Sequence, residues 1–377
     1  MPYDARMRAA IGATRAALAG LGLGPADPRF LEHGEHEPAP GAPLLLVACS
    51  GGRDSMALAA VARIVCAAWG FGCGAVVVDH GLQDGSDAVA QAAADRCRTL
   101  GLAPVAVRRV QVAGDAGQGV EAAAREARYA ALAHEAARLG AAAVLLAHTR
   151  DDQAETVLLG LLRSGGLDAV AGMPPRAVHH GVVFLRPLLD LTRQDTTGIC
   201  RSLGLDWWDD PTNGPDAAAD DGPLPRDYPL RSRVRHDLVP FLADFAGTDV
   251  TRRLAEGARL AQRDRDCLDA LADAAGERAV ALAAEPAGGP SGLLRPGDLA
   301  AIDARSLQAE HPAIRTRVIA RALAAAGIAS NARQVAAIDR LVADWHGQGG
   351  VALPGGHSAN RQKHVIHVCQ DGAHANR

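Results

Sequence analysis

The sequence predicts an α/β protein: a parallel sheet with helices on both faces, a helical second domain and a small α+β module at the end. Three observations predict it. From Leu44 onward short apolar runs alternate with longer alanine-rich stretches at helical spacing, and the first run leads straight into Ser50-Gly51-Gly52. After a break rich in proline and aspartate the pattern turns to helices and closes on short strands.

Residues 1–41 read as a helix and a Pro-rich loop. Acidic Asp4 among Arg6, Arg8 and Arg15 argues against a signal peptide. Residues 42–213 hold four strand–helix cycles: Leu44–Cys49 with Met56–Trp69, Ala75–Val78 with Ser86–Leu100, Val105–Val110 with Val120–Leu139, and Ala143–Ala147 with Asp151–Arg163. Successive cycles of this kind make a parallel sheet, and such sheets gather ligands at the carboxyl ends of their strands. Those ends read Ser50-Gly51-Gly52, Asp79-His80-Gly81 and His148-Thr149-Arg150. A strand Val182–Leu185, a helix Arg193–Leu203 and Trp207–Asp210 complete the domain. Residues 214–229 carry four prolines and four aspartates and read as a linker. Residues 230–290 are expected to be helical over Ser232–Phe245 and Thr251–Ala283. Residues 291–377 combine helices Pro312–Ala325 and Ala332–Trp345 with a terminal strand pair, Gly350–Leu353 and Val365–Val368.

Composition narrows the chemistry. Of 377 residues 48% are hydrophobic, enough for more than one core, and the net charge of −4 excludes a wholly basic nucleic-acid binder, so any RNA contact needs a local patch. The sole lysine is Lys363, which excludes a phosphate loop ending in Gly-Lys-Ser/Thr. Seven scattered cysteines without a C-x-x-C spell neither a zinc site nor a redox pair, and they suit a reducing cytoplasm. No uncharged stretch reaches the ~20 residues of a membrane span.

The sharpest signal is Ser50-Gly51-Gly52-Arg53-Asp54-Ser55 between a buried strand and a helix. Two glycines allow a tight turn whose N–H groups converge, and the helix adds its positive end, so phosphate is the natural ligand. Asp54 would repel a polyphosphate unless a divalent cation lay between them, which implies Mg²⁺ on Asp54. An ordinary capped βα turn is the plainer alternative. Further on, His148, Asp152 and Glu155 fall at spacings of four and three on one side of a helix. Thr149-x-x-Asp152 also spells a capping box, which accounts for one acid but not for the second, a turn further in. Arg125 and Arg128 share the third helix, where Glu121 is a surface partner for the first. The run Arg231-Ser232-Arg233-Val234-Arg235-His236 is the local basic patch, suited to RNA phosphates unless it is only a solvated face.

The loop resembles the SGGxDS signature of the PP-loop ATP pyrophosphatases, which split ATP between the α and β phosphates. The segment His148-Thr149-Arg150-Asp151-Asp152-Gln153-Ala154-Glu155-Thr156 through Ala171-Gly172-Met173-Pro174 resembles the tRNA(Ile)-lysidine synthetase family. Val78–Leu82, Ala124–Tyr129, Arg186–Leu189, Asp210–Asn213 and Arg231–Pro240 match it too, so the resemblance runs from about Leu45 to Leu242, and more weakly to Leu353–Gly356 and Arg361. It implies a two-step ligase using ATP and Mg²⁺: the wobble cytidine of a tRNA(Ile) with a CAU anticodon is adenylated, and free L-lysine then displaces AMP. Asp54, Arg128, Asp152 and Glu155 would be catalytic, with Asp152 and Glu155 on the lysine amine. Ser50, Gly51, Gly52, Arg53, Asp54, Ser55, Asp79, His80 and His148 would hold ATP, and Arg231, Arg233 and Arg235 the tRNA. Ser232 stands where the family has asparagine. The same fold also admits a tRNA thiolase, against which the absence of paired cysteines counts, a small-molecule amidating ligase, or a non-catalytic RNA adaptor. The expectation is a cytoplasmic protein with no membrane partner; oligomeric state is left open, a homodimer included.

Overall fold

The computed structural model describes residues 3–30, 34–81, 85–110, 120–209, 223–284, 290 and 292–370. Leu82, the segment 210–213 and most of the linker at 214–229 lie outside the described residues. The chain divides into two compact units, Met1–Gln262 and Arg263–Arg377.

The first unit opens with α1 (Ala5–Ala19), then runs β1 (Leu44–Ala48), α2 (Arg53–Trp69), β2 (Gly72–Asp79), α3 (Ser86–Thr99), β3 (Val105–Arg109), α4 (Val120–Leu139), β4 (Ala143–Leu145) and α5 (Arg150–Arg163). A short α6 (Leu167–Val170), β5 (Arg176–His179), β6 (Val182–Leu185) and α7 (Arg193–Ser202) follow. The sheet order is β3-β2-β1-β4-β6-β5, parallel except for β5, which pairs antiparallel with β6 at the edge. The sequence reading missed β5. Its four residues are not a long apolar run, and only a tight turn at His180-Gly181, both at positive φ, returns the chain into β6.

Period-two alternation in β1 divides the core between the two faces of the sheet. Leu45 and Val47 pack with α1, α2, α3 and α7, whereas Leu46 and Ala48 pack with Tyr129, Leu132, Ala133 and Ala136 of α4. Helices therefore cover both faces, as the apolar strands require. Because β2, β1 and β4 are neighbours, the three strand ends singled out in the sequence lie side by side.

The expected helix Ser232–Phe245 is three pieces: α8 (Leu230–Arg233), a π-helical turn Val234–Leu238, and α9 (Val239–Ala246). Leu158 and Leu159 of α5 form a small core with Val234, joined by Leu238, Val239, Leu242 and Leu254. This core, with an Arg150–Asp249 ion pair at 3.2 Å, makes residues 230–262 part of the first unit. The long α10 (Val250–Ala279) continues through the division.

The second unit contains β7 (Val280–Leu282), β8 (Asp298–Asp303), α11 (Ala304–Gln308), α12 (Pro312–Ala325), α13 (Ala332–Ala343), β9 (Val351–Leu353), β10 (His357–Gln362) and β11 (Val365–Gln370). Its antiparallel sheet is ordered β7-β8-β11-β10-β9. The two strands expected to pair with each other are not neighbours, because β10 lies between them. The sequence His-Ser-Ala-Asn-Arg-Gln has no apolar alternation to announce a strand, and only Ala359 of it is buried.

Candidate active site

The Ser50–Ser55 turn is closed on itself. The Ser55 hydroxyl donates to the Gly52 carbonyl at 2.8 Å, the Ser50 N–H points to the Ser55 hydroxyl at 3.2 Å, and the two hydroxyls lie 3.3 Å apart. Gly51 has φ +79°, and a Cβ there would stand 2.7 Å from the Ala93 Cβ, so glycine is required twice over. Trp208 fastens the outside of the turn, its N–H donating to the Gly51 carbonyl at 2.9 Å. Helices α5 and α7 are capped by threonine side chains, but the cap position of α2 is Gly52, which offers no side chain. Its first N–H groups thus open onto the turn with the positive end of the helix dipole behind them, which is an anion site.

Asp54, in the first turn of α2, accepts a hydrogen bond from Thr196 and lies 3.8 Å from the Arg193 guanidinium. Burial and the nearby Asp152 carboxylate push its carboxyl up to about 6, against the pull of Arg193, Thr196 and Arg53. A half-buried acid in this condition, beside a second acid and a phosphate turn, suits Mg²⁺, which typically takes one or two carboxylates together with substrate phosphates. Its donors are the hard oxygens that the ion prefers.

Thr149 and Asp152 form the expected capping box on α5. The cap uses one oxygen of Asp152, which accepts from the Thr149 N–H at 2.9 Å, and leaves the other facing three arginines: Arg193 at 3.2 Å, Arg231 at 3.6 Å and Arg235 at 3.7 Å. Glu155 is only 1% exposed and meets the same three, at 3.2, 2.9 and 2.7 Å. Burial opposes ionisation of both acids, but the guanidiniums outweigh it and hold both carboxyls below their ordinary values. Asp151 accepts from the Arg193 N–H at 2.8 Å and so tethers the start of α7.

Arg193 was missed in the sequence. It lies at the first position of α7, fixed by a second capping box of Thr192 and Asp195, and its guanidinium connects Asp54 to Asp152 and Glu155. Thr192-x-x-Asp195 repeats the spelling of Thr149-x-x-Asp152, and that repetition was the available signal. Arg231 and Arg235, read from sequence as RNA contacts, are brought onto Glu155, while the Nε of Arg233 is buried without a partner. Ser232 is buried.

The surroundings of Arg128 are cationic. Arg128 makes no ion pair among the described residues; burial and the charges of Arg125, Arg231 and Arg186 lower its pKa. His80, at the end of β2, is likewise lowered by burial and by Arg128, and its Nδ1 is buried without a partner. Asp79 turns inward and accepts from the Gly81 N–H at 2.9 Å, with Arg109 at 3.7 Å. Burial raises its carboxyl, but Ser86, Gly81 and Arg109 hold it below the ordinary value. His148, which precedes the Thr149 cap, has its Nδ1 at 3.2 Å from the Nε of Arg186.

A lysine-free phosphate turn at the end of the first parallel strand, with its own acid and an open helix N-terminus, places the molecule among the PP-loop proteins. Residues 30–242 match the family model described as a PP-loop domain, and residues 303–367 match that of the TilS substrate binding domain. Among similar proteins, the tRNA(Ile)-lysidine synthase of Bifidobacterium longum is 57% identical over all of both chains. That of Salinispora tropica is 45% identical over 87% of this chain and 91% of its own. The chain belongs to the tRNA(Ile)-lysidine synthase family. Among solved structures, U34-tRNA thiolase NcsA from Methanococcus maripaludis aligns with a TM-score of 0.48 at 14% identity, over 68% of this chain and 80% of that one. Among the described residues, no helix is long and apolar enough to cross a membrane, and all seven cysteines are free.

Proposed function

We propose that the protein joins L-lysine to the wobble cytidine of a tRNA(Ile) with a CAU anticodon, consuming ATP and releasing AMP and pyrophosphate in the cytoplasm. One observation carries this reading: the acid pair Asp152 and Glu155 is tied through Arg193 to Asp54 of the phosphate turn. An amine-binding pocket and a nucleotide turn that share a side chain suit a reaction in which an amine meets an activated phosphate ester.

In this reading the Ser50–Ser55 turn and the uncapped start of α2 hold the triphosphate, with Asp79 and His80 on the nucleoside side. When bound, Mg²⁺ on Asp54 would neutralise phosphate charge. The base oxygen attacks the α-phosphate and pyrophosphate leaves; the lysine amine then attacks the base carbon and AMP leaves. Arg128, which makes no ion pair among the described residues, supplies positive charge aimed at the phosphate being transferred.

The acids are already occupied by guanidiniums, so an entering ammonium has to replace one of them on Glu155. Arg231 and Arg235 are the natural ones to yield, since both also suit RNA phosphates, and Arg233 beside them has a free Nε. The module matched at residues 303–367 fits a further role in tRNA binding. The thiolase, amidation and adaptor readings have no support among the full-length relatives.

The direct test incubates the protein with ATP, magnesium, radioactive lysine and a CAU-anticodon tRNA transcript. Lysine should become attached to the RNA with one AMP and one pyrophosphate released per event. AMP formation without lysine transfer, or no dependence on the anticodon, would refute the assignment.

A further inference from the structure

The buried face of the site contains an arginine that meets no carboxylate. Arg186 follows β6, is 3% exposed, and makes no ion pair among the described residues. Its planar fork is spent on three neutral acceptors: Nη1 donates to the Pro174 carbonyl at 2.7 Å, Nη2 to the Tyr129 hydroxyl at 3.0 Å, and Nε to Nδ1 of His148 at 3.2 Å. A guanidinium has donors only, so Nδ1 must carry the lone pair, and the ring hydrogen sits on Nε2.

We propose that Arg186 is a positioning residue that fixes His148 as a neutral imidazole presenting Nε2–H to a phosphate oxygen of the nucleotide. This rests on the ligase reading above for the identity of the acceptor, but the tautomer itself does not. His148 is then a hydrogen-bond donor and not the base that takes a proton from the amine.

The surroundings point the same way. Protonating Nδ1 would set two N–H groups against each other in a buried place. The charged groups that face the ring are Asp152 of α5, Arg128 of α4, Arg231 of α8 and Arg186 itself. Burial and the three cations push the imidazole down to about 3, with Asp152 alone opposing. Among the described residues Nε2 makes no hydrogen bond, so the donor remains available to a ligand. A donor held in place before the reaction stabilises charge that develops on phosphate oxygens without reorganising.

The test starts without any ligand. In protein labelled with ¹⁵N-histidine, the His148 resonances, identified by their loss in His148→Gln, should show an unprotonated Nδ1 and a protonated Nε2 at every pH from about 5 to 8, below and above the ordinary histidine pKa. A ring that becomes doubly protonated near pH 6, or that carries its proton on Nδ1, overturns the proposal whatever the reaction turns out to be. In Arg186→Lys, which retains one donor but not the fork, the Nε2–H form should persist, whereas in Arg186→Leu, with no donor facing Nδ1, resonances of an Nδ1–H form should appear.

Kinetics give the second arm. His148→Asn should lower kcat for tRNA-dependent AMP formation about 100-fold, the size typical of losing a donor to a developing oxyanion. His148→Gln, whose amide reaches the Nε2 position, should stay within about tenfold of the wild type with KM for ATP little changed. Equal losses in both variants would overturn the donor role. If the wild type forms no AMP with any tRNA while the spectra are as expected, it is the ligase reading that fails, and the Arg186–His148 arrangement stands.

Discussion

Two glutamates of the first unit are buried among arginines, and only one of them belongs to the proposed site. Glu135 of α4 has a fully buried side chain, with Arg108 at 2.7 Å and Arg138 at 2.6 Å. Glu155 of α5 is as well hidden and meets Arg193, Arg231 and Arg235. At Glu135 a single acid receives two guanidiniums whose outer faces reach water, Arg108 being 40% and Arg138 51% exposed. At Glu155 three arginines, none more than 28% exposed, are shared with Asp152, and Arg193 extends to Asp54. Burial of a charge therefore does not identify a site here. What distinguishes the Glu155 cluster is that its cations are held in common, so one partner can be exchanged without leaving an acid bare.

The largest effect is expected where that network meets the phosphate turn. Asp54→Ala removes the carboxylate proposed to hold Mg²⁺ and one of the three acids around Arg193. tRNA-dependent pyrophosphate release should fall by at least about 1,000-fold, corresponding to about 4 kcal/mol in the barrier. Turnover within tenfold of wild type would remove Asp54 from the chemistry and make the network an ordinary ion cluster.

Glu155→Gln and Glu135→Gln then set the two regions directly against each other. The first should depress lysine transfer about 100-fold or more, while pyrophosphate release with tRNA falls much less, because the amine pocket and not the nucleotide turn has changed. The second breaks a saturated pair and should cost about 3 kcal/mol in denaturant unfolding, the lower end for a buried acid removed from its partners, since water reaches both arginines. Its activity should match the wild type below the new melting temperature. The comparison collapses if Glu135→Gln loses lysine transfer, or if Glu155→Gln affects only stability.

The difference between these clusters was only half visible in the sequence. The parallel order, the phosphate turn and the capped acid helix follow from local spelling: alternation in the strands, two glycines, and a threonine three residues before an acid. Asp152 and Glu155 could be placed on one side of a helix because they belong to the same helix. Their partners could not. Arg231 and Arg235 reach Glu155 across 76 and 80 residues of chain, and Arg193 across 38, so each pairing depends on how the chain lays α7, α8 and the π-helical turn against α5. The sequence therefore assigned the basic run to RNA and gave Arg193 no role. Arg186 was quoted in a family match without a function, since a donor aimed at one nitrogen of a ring 38 residues earlier leaves no periodic trace. Strands β5 and β10 were missed because little of either is buried, and periodicity reports burial.

The smallest effect expected is a pH dependence of stability in metal-free protein, and its sign separates the clusters again. The Asp54 carboxyl is raised from 3.8 to about 6. In the unfolded chain it loses its proton near its ordinary value, while in the folded protein it holds the proton longer. The stability this contributes is complete below about pH 4 and is lost as pH rises through about 6. A shift of this size, discounted because the side chain is partly exposed, corresponds to about 2 kcal/mol. Asp152, Glu155 and Glu135 have lowered carboxyls and act in the opposite sense: their contributions are present above the unfolded values and disappear on acidification. Urea unfolding at pH 4, 5, 6 and 7 should thus show a decline between about pH 4 and 6 that levels off above it in the wild type and is missing from Asp54→Asn, whose uncharged amide removes the falling contribution. Glu135→Gln should lose only its own share of the acid-side rise and retain the decline toward pH 6. If Asp54→Asn and wild type differ by a constant amount at all four pH values, Asp54 is ionised throughout, and the repulsion from Asp152 that distinguishes this cluster from Glu135 is absent.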